Sequence, residues 1–307
     1  MTVRVLDDYY LGITAIITIA YQMSFFVIAW FCQFDKVTDF AGGSNFAILA
    51  LITLTFGGTY YDRQIIASVF VITWGFRLGL FCLYRILKTG HDSRFDGRRE
   101  NFVSFLGFWI FQIIWVWTVS LPVTLVNSPR VSKMELDGRD VKFGSATDIL
   151  GIVLWVIGFL CETIADAQKF RFRQNRKSSK EFMKSGIWAW SRHPNYFGEI
   201  VLWWGIFLLC LEPTLSGITN VPWLSIASPV FTMIILLGLS GLPFNERPTA
   251  EKQYTSGNWD NYSVYLKRTS ILIPFPPAIY EKFPQWVKST IFLEFPIYRY
   301  TPQNDMA

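Results

Sequence analysis

The stretch Tyr9–Phe34, YYLGITAIITIAYQMSFFVIAWFCQF, decides the class of this chain. It holds no Asp, Glu, Lys or Arg. Wound as a helix rising about 1.5 Å per residue, it is long enough to cross the roughly 30 Å of hydrocarbon in a bilayer. Phe40–Tyr61 and Asn101–Pro129 are charge-free in the same way. In lipid only helices and closed barrels satisfy their own backbone hydrogen bonds, and such continuous runs lack the short alternation of barrel strands. The pattern therefore predicts an all-α membrane protein of about seven transmembrane helices, over 9–32, 45–61, 64–86, 102–126, 147–168, 195–211 and 224–242.

The composition agrees. The 307 residues are 51% hydrophobic, 18% aromatic and only 17% charged, with a mean hydropathy of +0.30. This is too apolar for a disordered chain, a secreted disulfide scaffold or a soluble nucleic-acid binder, despite the net charge of +5. The first apolar run is too long for a cleavable signal and more spans follow it. With no linker and no repeat, the reading is one multi-pass domain over 1–276, then a tail over 277–307 whose prolines and aromatics suit the membrane interface. Cys32, Cys82, Cys161 and Cys210 are scattered singly and only two histidines accompany them. No metal is expected.

Orientation follows from Lys and Arg. The segment Gln168–Pro194 carries eight basic residues against one acid, Glu181, whereas Glu212–Trp223 carries none. The basic loop is expected on the cytoplasmic side, together with the C-terminus, and the N-terminus outside. Arg85, Lys88, Arg94, Arg98 and Arg99 agree, while the mixed charges of 127–146 run mildly against it. The expected membrane is the endoplasmic reticulum in a eukaryote and the inner membrane in a bacterium.

Charge inside a membrane is costly and usually faces protein or a water-filled cavity. Glu162, Asp166, Lys169 and Arg173 are spaced four, three and four apart, an ionic stripe along one helix face. It reads either as a solvated helix end or as the wall of a pocket, with the acids accepting ligand hydrogens and Arg173 taking a phosphate oxygen. The strongest signal is Ser191-Arg192-His193-Pro194-Asn195-Tyr196-Phe197-Gly198-Glu199. Pro194 suits the first position of a helix, whose N-terminal N–H groups and dipole favour an anion. Arg192, Asn195, Tyr196 and Glu199 then share one face, and Trp203 continues it. Further on, Tyr254, Trp259, Tyr262 and Tyr265 offer flat rings for a nucleotide or for the headgroup level.

This signature resembles that of a multi-pass membrane family of unknown function related to the C-terminal domain of steroid 5-alpha-reductases. More remotely it is similar to sterol reductases and isoprenylcysteine carboxyl methyltransferases. Trp74-Gly75-Phe76-Arg77-Leu78-Gly79, the Asp92-x-Arg94 loop, Glu162–Gln168 and Ser240-Gly241-Leu242-Pro243 follow the family pattern in the same order, and the likeness covers about 35–276. It implies a cytoplasmic-side pocket formed by the last three helices that binds NADPH. By similarity, Asp166, Arg173, Asn195 and Glu199 match nucleotide-contacting positions. Glu162, Arg192, His193, Tyr196 and Glu246 belong to the same implied pocket. The acid and tyrosine that polarise the substrate carbonyl in steroid reductases have no clear match; Tyr60, Tyr61 and Asp62 are weak candidates beside an interfacial tyrosine belt.

The expected function is NADPH-dependent reduction of a lipophilic enone or alkene, steroid-, sterol- or fatty-acyl-like, drawn from the membrane lipid. The alternatives are an S-adenosylmethionine-dependent methyltransferase and a non-catalytic lipid- or partner-binding protein.

Overall fold

The computed structural model describes residues 3–32, 35–90, 97, 100–136, 142–178, 180–215 and 220–302. Among them seven helical segments are long and apolar enough to span a membrane. The first four are α1 (Leu11–Phe31), α2 (Thr38–Gly57), α3 (Asp62–Thr89) and α4 (Phe102–Val119). Two short helices follow, α5 (Leu121–Val126) and α6 (Pro129–Leu136), then the long α7 (Ala146–Asn175) and α8 (Pro194–Leu215). The seventh segment, Val221–Thr255, is composite: a 3₁₀ turn, α9 (Ala227–Met233), a π-helical stretch Ile234–Leu239 and α10 (Leu242–Thr255). The helices α11 (Trp259–Arg268), α12 (Pro277–Tyr280) and α13 (Gln285–Thr290) come last.

Several boundaries differ from those expected. The helix expected over 102–126 is two helices: α4 ends at Val119, and Pro122, which has no N–H to continue the ladder, falls in the first turn of α5. The second helix begins at Thr38 and not near residue 45, because Gly42 and Gly43 serve close packing there instead of breaking the helix. Helix α7 continues past residue 168 to Asn175, carrying the ionic stripe with it. Asp92, Arg94, Arg98 and Arg99 lie outside the described residues, as do 216–219 of the loop after α8.

Contacts divide the chain into two compact units, Met1–Trp155 with Trp203–Phe231, and Val156–Leu202 with Thr232–Ala307. In the first unit α2 meets α3 through glycines: a Cβ on Gly43 would stand 2.7 Å from both the carbonyl oxygen of Gly75 and the amide nitrogen of Gly79. Polar side chains tie these apolar helices together, as expected where no water competes. Arg63 at the start of α3 holds Asp148 at the start of α7 through two 2.8 Å bonds, Nε to Oδ1 and Nη2 to Oδ2, with both residues buried. Gln22 donates to Asn45 at 3.0 Å and accepts from Gln112 at 3.1 Å. Phe46, Trp74 and Trp203 form an aromatic centre with ring centroids 5.0–5.6 Å apart.

In the second unit the outer part of α7 meets the start of α8 with the same economy of space. A Cβ on Gly198 would lie 2.6 Å from the Glu162 amide nitrogen and 2.6 Å from the Gly158 carbonyl oxygen, both backbone atoms that cannot yield. Gly198→Val is therefore expected to destabilise the protein by about 1–3 kcal/mol or more. A melting midpoint in detergent equal to wild type would contradict this packing. The segment preceding α8 is strapped to the chain after α11. The Arg192 amide donates to the Ser270 carbonyl at 2.8 Å, the Ser191 hydroxyl to the Leu272 carbonyl at 2.7 Å, and the Phe275 amide to the Trp190 carbonyl at 3.0 Å.

Candidate functional site

That strap brings Arg192 and His193 to the mouth of α8, which begins at Pro194 as its sequence requires. The His193 amide turns back onto the Ser191 hydroxyl at 3.1 Å. Arg192 then enters the interior, 6% exposed, and meets two carboxylates. Its Nη1 donates to Glu246 of α10, and its Nη2 to Glu294 at 2.8 Å. The second oxygen of Glu246 receives His193 Nε2 at 2.7 Å, and the second oxygen of Glu294 accepts the Tyr280 hydroxyl. All of these groups are buried. A buried charge needs a partner and full hydrogen bonding, and here one cation is divided between two anions that are themselves bonded twice.

The electrostatics fix the protonation states. Burial works against the Arg192 charge, but Glu246 and Glu294 outweigh it and hold the guanidinium firmly protonated. Burial pushes His193 below the ordinary histidine value; the bond to Glu246 pulls it up by less, and the nearby Lys169 and Arg192 push it down further. The imidazole is thus neutral at pH 7. Because the atom facing its Nε2 is an anionic oxygen, Nε2 must carry the proton, leaving Nδ1 as an acceptor. Among the described residues that buried Nδ1 has no partner, and neither has Asn195 Oδ1, two residues along. Two unmet acceptors at one helix mouth fit a ligand that brings N–H or O–H donors. The ring of His193 stacks on Tyr196, centroids 5.1 Å apart and 13° from parallel, and Asn245 Nδ2 donates to the Tyr196 hydroxyl at 2.9 Å.

His193 lies on the wall of a cavity of about 240 Å³. Its cationic lining is Lys169, Arg173, Arg176, Arg192 and Lys252, against the acids Glu181 and Glu246. Flat surfaces come from Trp188, Tyr262 and Tyr265. Trp188 is anchored by its indole N–H on the Ala165 carbonyl at 3.0 Å, with the Lys169 ammonium 4.5 Å from its ring. Through Phe172, Glu181 and Phe182 the cavity adjoins a more open groove of about 450 Å³.

Of the residues singled out in the sequence, Lys169, Arg173, Arg192, His193, Glu246, Tyr262 and Tyr265 line this cavity. Glu162, Asp166, Asn195, Tyr196 and Glu199 are not among its lining residues. Glu162 is buried where α7 touches Gly198, and Tyr196 acts through its stack on His193. Tyr60, Tyr61 and Asp62 belong to the first unit. Tyr60 is exposed with a φ of 53°, and Tyr61 caps α3, its amide donating to the Gln64 side chain at 3.1 Å. Sequence reading missed Glu294, Tyr280 and Trp188. Glu294 had one available signal: it is a lone acid in the apolar run Ile291–Tyr298, which in a folded chain demands a partner. Among the described residues no group of three or more His, Cys, Asp and Glu is arranged to hold a metal ion.

Comparison with known proteins places the chain. A family model described as Protein of unknown function (DUF1295) matches residues 25–269. An uncharacterized protein of Schizosaccharomyces pombe is 24% identical over 172 residues, which cover 48% of this chain and 48% of that one. The Protein-S-isoprenylcysteine O-methyltransferase of Saccharomyces cerevisiae is 27% identical over 135 residues, covering 41% of this chain and 48% of the enzyme. The matched regions thus span about half the length of these relatives. No solved structure matches the chain.

Proposed function

The chain belongs to the DUF1295 family, and from that premise we propose that it is a membrane-embedded, NADPH-dependent reductase of a lipophilic enone or alkene, steroid-, sterol- or fatty-acyl-like. One observation carries this reading: a cavity with five basic and two acidic residues on its lining, aromatic walls and a neutral histidine whose Nδ1 has no partner among the described residues. Phosphates suit the basic rim, rings suit Trp188, Tyr262 and Tyr265, and a carboxamide or ribose hydroxyl suits His193 Nδ1. The cavity alone is too small for a whole dinucleotide, and the adjoining groove supplies the remaining length. When bound, the nicotinamide supplies the hydride; the residues bind it, orient it and exclude water.

A second reading rests on the yeast methyltransferase relative: methyl transfer from S-adenosylmethionine to a membrane-bound thiol or amine. Charge separates the two. A sulfonium is repelled by a basic lining that attracts a 2′-phosphate and a pyrophosphate. Calorimetry on the detergent-purified chain is therefore expected to show NADPH binding more tightly than NADH, weakening as salt is raised. Asn195→Ala, which removes the second unmet acceptor, and Arg173→Ala, on the basic lining, should lower NADPH affinity while leaving the melting midpoint in place. Heat from S-adenosylmethionine and none from NADPH would pass the function to the second reading.

A further inference from the structure

The ion pair of Arg192 and Glu246 is a partition. On its other side lies a second cavity of about 250 Å³, lined by both of these residues and by the segment around α13. Residues 285–300 of this lining lie beyond the 25–269 region that the family model matches, so the cavity depends on a part of the chain outside that region.

Two buried cations in this cavity have bonds left to give. Lys288 is 8% exposed. Its ammonium donates to the Lys267 carbonyl at 3.0 Å and sits 4.4 Å from the Tyr280 ring centroid. Among the described residues no carboxylate oxygen comes within ion-pairing distance of it. An ammonium has three donors, so further bonds remain open. The Nε–H of Arg192 is also buried, without a partner among the described residues. Around them Trp259 and Tyr300 stand edge to face, centroids 5.8 Å apart, and the exposed Lys267 and Arg299 complete the lining. Within the cluster Arg192 and Lys288 are balanced by Glu246 and Glu294, so the two exposed bases leave the cavity positive.

We propose that this cavity is a second ligand site, distinct from the nucleotide cavity, which takes an acid group, carboxylate or phosphate, carried on an aromatic or apolar body. The acid would answer Lys288 and the unmet Arg192 Nε–H, and the body would lie against Trp259 and Tyr300. Such an acid is available from a free aromatic acid or from the headgroup of an anionic lipid. The inference does not depend on which cofactor the first cavity holds.

The test uses the full-length, detergent-purified chain, titrated calorimetrically with phenyl phosphate and, in a separate arm, with dihexanoyl phosphatidic acid. Lys288→Met, checked for folding by its melting midpoint, is expected to weaken binding about tenfold to hundredfold. The double variant Lys267→Ala/Arg299→Ala alters only exposed residues and provides the same test if Lys288→Met fails to fold; it should weaken binding several-fold and flatten the salt dependence. Because a phosphate on a ring also suits the first cavity, the titrations are repeated in Arg173→Ala; the heat that survives there and that Lys288→Met removes belongs to the second cavity. Tighter phenyl phosphate binding that Lys288→Met removes assigns a free acid, and tighter phosphatidate binding that it removes assigns a lipid. No binding of either probe, or binding that neither the Lys288 nor the double variant changes, overturns the proposal.

Discussion

Replacing Arg192 by methionine is expected to lower the stability of the protein by about 3–5 kcal/mol, the cost of leaving buried charge without its counter-ion. Glu246 and Glu294 share this one guanidinium. Without it they face each other's charge at low dielectric, each with a single neutral donor left, His193 and Tyr280 respectively. Melting of the detergent-purified variant should show the loss as a large fall in midpoint. Adding Glu294→Gln to Arg192→Met should recover part of it, because one of the two stranded charges is then gone. A midpoint for Arg192→Met within a degree of wild type would mean that the cluster does not stabilise the fold.

The second large effect is expected at His193, where two substitutions separate structure from binding. Glutamine can present its amide N–H where Nε2–H now meets Glu246, but it offers no acceptor at the position of Nδ1. His193→Gln should therefore keep its melting midpoint and lose NADPH affinity by a factor of about 5 to 150, the equivalent of 1–3 kcal/mol. Asparagine keeps an acceptor near Nδ1 and gives up the Glu246 bond, so His193→Asn should do the reverse. The pH dependence has a definite sign. The folded-state value of His193 is depressed, chiefly by burial. Its stabilising contribution is thus complete above the unfolded value of about 6.5 and is lost as pH falls through the lower folded value. The same protonation converts Nδ1 from acceptor to donor, so wild-type NADPH affinity should fall in that acid window and the glutamine variant should not follow. Identical affinities and pH curves in the two proteins would remove His193 from the nucleotide site.

Much of this molecule is legible in its sequence, and the illegible parts share a cause. Charge-free runs such as Tyr9–Phe34 announce spans because lipid admits little else, and Arg192-His193-Pro194 announces a helix mouth because proline fixes where a helix can begin. Helix ends are read poorly. Hydropathy does not register the break at Ser120, nor that Ile234–Leu239 winds as a π-helix, since neither changes the apolar character of the run. Gly42 and Gly43 look like breakers until the neighbouring helix is present to need the space. Partnerships are read worst. Arg63 and Asp148 stand 85 residues apart, and Arg192 and Glu294 stand 102 apart. No local spacing links residues at such separations; only the folded chain does.

That last separation also sets an order of events during synthesis. At about 5–20 residues per second, the ribosome adds Glu294 roughly 5–20 seconds after Arg192. The first carboxylate, Glu246, is made on the way, and the second arrives with the segment that also builds the cavity around Lys288. Until then an arginine destined for the interior holds half of its final complement of charge. The spans can be laid into the bilayer one after another, but the ion cluster must close after them. Early termination before Glu294 would yield a chain with every apolar helix in place and an unfinished interior, one carboxylate short of the pair that holds Arg192.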